Sequence, residues 1–310
     1  MRFLFHFLIV LLILISSCSR EVPQPIDISI KERFKYLPYD PQIVIYFNVK
    51  EVRKTPFWKN FIETQLEENR KNQLDDFVKL TGLSLEKDID EVILANEWNE
   101  SATIIVNGNF SPQKIEEYFQ QKSSSDKRIK DLKFKIIDEK TIIAVNTKER
   151  LSSIENSGHE KSIVDNPEYL SIINSVRFKN QFWIATTQSS VVSELIEHGA
   201  SIIKNEKVRE LTNSIRYINL STKFRDDILI NSNWQCTDET KAALLKSVLN
   251  GIVSMITLTS PNDQFVNELS QMDIYLNGKS VELELKIPED KIKELRESKL
   301  KDKIKLLITK

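Results

Sequence analysis

Past residue 18 the sequence contains one cysteine, Cys236. If residue 18 is taken up by other chemistry, nothing is left to form an intramolecular disulfide, and the remaining chain must be secured by an apolar core alone. It has the material: 310 residues at 40% hydrophobic suffice for one large core or two modest ones. Charge is nearly balanced, 44 Lys+Arg against 45 Asp+Glu, which leaves no global basic field for a phosphate backbone and excludes nucleic acid as the expected partner.

The N-terminus reads Met1-Arg2, a nearly unbroken apolar run from Phe3 to Ile15, then Ser16-Ser17-Cys18. This is the basic, apolar and small-residue order of a secretory signal. As a helix the run would rise about 20 Å, short of the roughly 30 Å hydrocarbon core of a bilayer. A processed segment is therefore expected rather than a permanent span.

Ile15-Ser16-Ser17-Cys18 resembles the lipobox of bacterial lipoproteins, with isoleucine in place of the commonest leucine and serine in place of glycine or alanine before the cysteine. The resemblance implies that residues 1–17 are removed as a signal peptide. It also implies that Cys18 takes a diacylglyceryl thioether and that its new amine is acylated, as by palmitate. One acyl chain binds a membrane marginally and two anchor stably, so three make desorption negligible. Ser19 replaces the aspartate that often retains such proteins at an inner membrane, so outer-membrane placement is expected in a two-membrane cell.

Residues 18–35, polar with prolines at 23 and 25, read as the lipidated N-terminus and a tether. Ile43 to Val49 has strand composition, and Thr55-Pro56 opens a helix through Phe57, Trp58, Phe61 and Ile62. Strands follow near 91–95 and 102–110, a helix near 112–121 after Ser111, and a hairpin at 134–137 and 141–146. A polar stretch at 156–167 is the expected linker between a first half, 36–155, and a second, 168–298. The second half reads as strands near 181–187, 215–221 and 227–235, helices near 188–198 and 205–213, and a long helix from a Thr237 cap to Thr257. Gly251 within that helix suggests close helix approach or a bend. Asn277-Gly278 signals a type I′ hairpin between strands at 271–276 and 280–287, and Pro288 opens a further helix.

The order of elements suggests an α+β fold of two tandem, duplicated halves, each a mostly antiparallel sheet covered by helices, with a ferredoxin-like version favoured. Tyr46-Phe47-Asn48-Val49 matches Tyr217-Ile218-Asn219-Leu220, and Lys114-Ile115-Glu116-Glu117-Tyr118 matches Lys291-Ile292-Lys293-Glu294-Leu295. Leu37-Pro38-x-Asp40 and Thr55-Pro56-Phe57-Trp58 resemble a broad group of exported bacterial proteins of unknown function with duplicated α+β halves. That resemblance carries no catalytic residues.

Signals for chemistry are sparse. His159, His198, Cys18 and Cys236 form no close ligand pair, so no metal or cofactor is expected. The glycines are isolated, which disfavours a phosphate cradle. Asp75-Asp76 and Asp226-Asp227 offer carboxylate pairs, and Lys50, Arg53, Lys54 and Lys59 surround Phe57 and Trp58, as an anionic-ligand edge or a solvated rim. Residues 299–310 form a basic tail or an added edge strand. Three functions stay open: a membrane-anchored envelope lipoprotein that binds a macromolecular partner without catalysis, a lipid or apolar-ligand carrier lined by the long helix, and a carboxylate-pair hydrolase.

Overall fold

The computed structural model describes residues 25–63, 84, 87–97, 101–122, 132–155, 161–187, 206–259, 264–288 and 290–291. Its strands are β1 (Ile43–Phe47), β2 (Ile89–Asn96), β3 (Ala102–Gly108), β4 (Lys133–Asp138), β5 (Thr141–Val145), β6 (Phe182–Thr186), β7 (Ile215–Phe224), β8 (Asp227–Cys236), β9 (Asp273–Asn277) and β10 (Ser280–Pro288). The described α-helices are α1 (Ile28–Phe34), α2 (Val49–Arg53), α3 (Pro112–Lys122), α4 (Lys148–Glu155), α5 (Pro167–Ser175), α6 (Glu206–Asn213), α7 (Glu239–Thr259) and α8 (Gln264–Leu269). The α+β class and the antiparallel sheet agree with expectation.

All ten strands join one sheet in the order β4-β5-β3-β2-β1-β6-β7-β8-β10-β9. The order 1-2-3-5-4 on one side of the β1–β6 pair is repeated as 6-7-8-10-9 on the other. The two arms are thus related by a pseudo-two-fold centred on the opposed residues Ile45 and Ile184. The ferredoxin-like version does not hold, because that fold inserts its third strand between its first and second, whereas here β1 pairs directly with β2 and β6 directly with β7. Every pairing here is antiparallel. The repeat also equates β1 with β6 and α3 with α7, so the Tyr46/Tyr217 and Lys114/Lys291 strings do not mark it. Short apolar strings recur by composition; pairing topology does not.

Residues directly opposed across an antiparallel pair share a face, so the registers divide the sheet into two sides. On the front, Val44, Tyr46, Ile93, Ala95, Ile105, Ile143, Val145, Trp183 and Ala185 build a core with Ile30 and Phe34 of α1, Ile154 of α4 and Tyr169, Ile172 and Ile173 of α5. Trp183 stacks on Tyr46 across the seam, with ring centroids 5.5 Å apart, and Phe34 meets it edge-on at 6.2 Å. On the back, α2 and the turn Trp58–Ile62 pack against Phe224, Ile228, Leu285 and Ile287, and α7 packs through Ala242, Leu245 and Leu249 on Ile274 and Val281.

Local chemistry explains the ends of these elements. Asn48 caps α2 by accepting from the Glu51 N–H at 3.0 Å, a start the sequence reading passed over. Thr55 does act as a cap, its hydroxyl oxygen accepting from the Trp58 N–H at 3.4 Å, although the turn that follows is π-helical. α7 is capped by Asp238, which accepts from the Lys241 N–H at 2.8 Å, one residue beyond the expected Thr237. Gly278 takes φ +56°, as its hairpin turn requires.

Two segments expected to be free of the body belong to it. Residues 28–34 of the expected tether form α1, whose Ile30 and Phe34 are buried one helical turn apart. At the expected linker, Ile163 lies fully buried in the front core, and Asn166 caps α5 while donating to the Tyr39 carbonyl. Cys18, the helix expected at 188–198 and the tail 299–310 lie outside the described residues.

The expected close approach at Gly251 is absent: a Cβ there would meet nothing within 4 Å. Gly251→Ala is therefore expected to raise stability by about 1 kcal/mol, read as a higher urea midpoint at unchanged slope.

Candidate functional site

α1 and the turn between β4 and β5 bound an open cleft of about 480 Å³. Asp27 caps the helix that walls it. Its carboxylate accepts from the Ser29 hydroxyl at 2.6 Å and the Ser29 N–H at 2.8 Å, and these bonds hold it below the usual carboxylate range. The helix places Ser29, Glu32, Arg33 and Tyr36 toward the cleft, and Asp138, Glu139 and Lys140 close it from the hairpin.

Arg33 also belongs to a hydrogen-bonded network that reaches behind the cleft into the core. Arg33 and the Tyr46 hydroxyl both donate to the Glu91 carboxylate, the tyrosine at 2.9 Å. Burial pushes the Tyr46 hydroxyl well above its ordinary value and draws the Arg33 guanidinium downward, while nearby charges partly restore the latter. At neutral pH the tyrosine is therefore neutral and the arginine charged, and each donates to one oxygen of the Glu91 carboxylate. The group orients; it does not pass protons. Lys35 lies 4.9 Å over the Tyr36 ring, so the rim offers cations and carboxylates side by side, suited to polar or zwitterionic groups.

The residues singled out from sequence are scattered. Cys236 is buried, and burial with Asp238 nearby pushes its thiol up to about 11. A nucleophilic thiolate is not available there at neutral pH. Asp227 pairs with Lys286 at 2.8 Å at the β7–β8 turn. In the basic rim around Phe57 and Trp58, Lys50 and Arg53 both pair with Asp90 and Lys54 with Glu51, while Trp58 is buried. That rim is structural. Asp75, Asp76, His159 and His198 lie outside the described residues, among which no group of three His, Cys, Asp or Glu side chains is placed to hold a metal. The cleft was missed because its members, spread over 29–36, 107 and 137–141, share no spacing.

Lys179 is the most perturbed lysine among the described residues. It is 3% exposed, donates to the carbonyls of Asn174 at 2.7 Å and Val176 at 2.8 Å at the end of α5, and burial draws it down to about 8. An unfolded lysine titrates near 10.4, so between about pH 8 and 10 the unfolded chain binds more protons and stability rises with pH. The gain from pH 7.5 to 9.5 is expected to reach about 2 kcal/mol and to flatten in Lys179→Met, measured by urea unfolding at the two pH values.

The fold and site define a mixed α+β protein on one open antiparallel sheet. No family model matches the chain, and no curated protein matches it. Among solved structures, crystal form I of TP0453 from Treponema is similar at 10% identity and a TM-score of 0.45, covering 86% of this chain and 96% of that one.

Proposed function

We propose that the protein is a bacterial envelope lipoprotein, exported by residues 1–17, anchored by lipid on Cys18 and placed at an outer membrane where the cell has two. Its body is a non-enzymatic module that binds another envelope macromolecule. The observation that carries this reading is the quartet Ile15-Ser16-Ser17-Cys18 at the end of an apolar run too short to span. The structure sharpens the geometry. Because α1 begins at Ile28 after its Asp27 cap, about nine residues separate the anchor from the body, or about 28 Å fully extended. The cleft, lined by Ser29, Glu32 and Arg33, would then be held near the bilayer surface.

Labelling cells with radioactive palmitate tests it. Label in the wild-type chain and none in Cys18→Ser is the expected result, with the unlabelled variant moving to the aqueous phase of a detergent split. Equal labelling of the two would reject the anchor.

A further inference from the structure

Helix α7 carries more apolar surface than its packing uses. It is long and apolar enough to cross a bilayer, yet only 17% of its most apolar window is buried inside the body. Ala242, Leu245 and Leu249 fix one stripe of the helix to Ile274 and Val281 on the back of the sheet. It therefore cannot leave the sheet to span a membrane without opening that core. A second stripe remains uncommitted. At spacings of four, three, four and three, Leu244, Val248, Gly251, Met255 and Leu258 line up beside the buried one, over about 21 Å at 1.5 Å per residue. Leu244 is 46% exposed and Leu258 81%, and a Cβ on Gly251 would meet nothing within 4 Å, so the line is open at both ends and at its middle.

The rest of the helix surface says what could cover it. From Ser247 to Thr259 there is no charged residue, and the polar side is made of Ser247, Asn250, Ser254 and Thr257. The hydroxyls of Ser247, Thr257 and Thr259 donate to the helix's own carbonyls, at 3.0 Å to Ala243, 2.8 Å to Val253 and 2.9 Å to Met255. A hydroxyl already paired with its own backbone costs little to take out of water. A second copy of α7 would be held in register by charges beside the seam, but the residues beside it are Ser247 and Ser254 on one side and Leu245 and Ile252 on the other. An anionic surface finds no cation past Lys246.

We propose that the second stripe of α7 is a membrane-contacting surface: it lies along the interface of a zwitterionic bilayer, held by apolar burial without charge attraction, and seats best where lipid packing is loose. The tether of about 28 Å keeps the body beside such a surface. The proposal rests on the envelope reading only for bringing the body to a bilayer; the stripe itself needs no lipid on Cys18.

The test uses the mature lipidated chain in vesicles of dioleoylphosphatidylcholine that include a spin-labelled phosphatidylcholine. Cys236 is buried and Cys18 carries the thioether, so a polarity-sensitive maleimide dye attaches at one introduced site, Leu258→Cys or Asn250→Cys. At 258 the emission is expected to shift to the blue and to be quenched by the spin label, and at 250, on the polar side, to do neither. The signal at 258 should be stronger on small sonicated vesicles than on large extruded ones and unchanged by salt or by added phosphatidylglycerol. Leu244→Ser with Met255→Ser should lower the ratio of inserted to free label by about tenfold or more, with melting curves reporting folding. The contrast between 258 and 250 decides the matter even if that double variant is too unstable to use. An equal response at the two sites overturns the proposal, as does a blue shift at 258 without lipid, which would mean that a second copy or another part of the chain covers the stripe. If palmitate labelling fails, the same dyes are read on Cys18→Ser: quenching at 258 then upholds the surface while the anchor is lost, and its absence removes both.

Discussion

Trp183→Ala is expected to lower the free energy of unfolding by about 4 kcal/mol, because it removes a fully buried indole and leaves a cavity the surrounding rings cannot close. The site is the seam of the molecule. Tyr46 stacks on one face of Trp183 and Phe34 meets its edge, so β1, β6 and α1 all lose a contact at once. Urea unfolding followed by far-ultraviolet dichroism measures the loss as a shift in midpoint. Since the sheet runs unbroken through β1 and β6, the whole body should still melt in one transition. Two separated transitions in the wild type would show that the arms are independent. A loss under 1 kcal/mol would show that the seam is not packed as described.

Gly108→Ala is expected to cost 2 kcal/mol or more, within the range of overpacked sites. A Cβ at this position would overlap the Asp88 carbonyl oxygen, which accepts from the Asn109 N–H at 2.7 Å. Backbone rather than a movable side chain stands in the way, next to the irregular pairing between Ile89 and Glu91. Either β2 and β3 separate locally, which breaks that hydrogen bond, or the new residue is strained. Thermal unfolding checks this against Gly251→Ala, for which the opposite sign is expected. Equal stability of the two variants would contradict both assignments.

Much of the local structure was legible in the chain because local rules set it. Asn277-Gly278 announced its hairpin, the β-branched run at 43–47 announced β1, and Pro112 after Ser111 announced α3. Segments whose partners are remote were not legible. Ile30 and Phe34 are one turn apart and define a helix face, but the prolines at 23 and 25 and the polar residues between drew that stretch toward a tether reading. The apolar residues of 163–173 were hidden by the polar composition ahead of them, though Ile163 is as deep as any residue in the core.

The largest difference, one sheet instead of two, follows from a single pairing, Ile43–Phe47 with Phe182–Thr186. Both strands are ordinary, and nothing in either string states that they meet. The candidate sites show the same limit. Arg33, Glu91 and Tyr46 are far apart in sequence and carry no motif, and the open stripe of α7 is told from its buried one only by what the sheet covers.

That central pairing also sets an order of events in time. The segment that closes β1 is translated only after the remainder of the first arm, and contacts so distant along the chain are slow to form. Until Phe182–Thr186 arrives, Ile43–Phe47 presents a bare row of amides and carbonyls able to recruit any extended neighbour. A nascent chain cut short before residue 182 should therefore clump rather than rest as a half-sized domain, and chaperone holding should matter most during that interval.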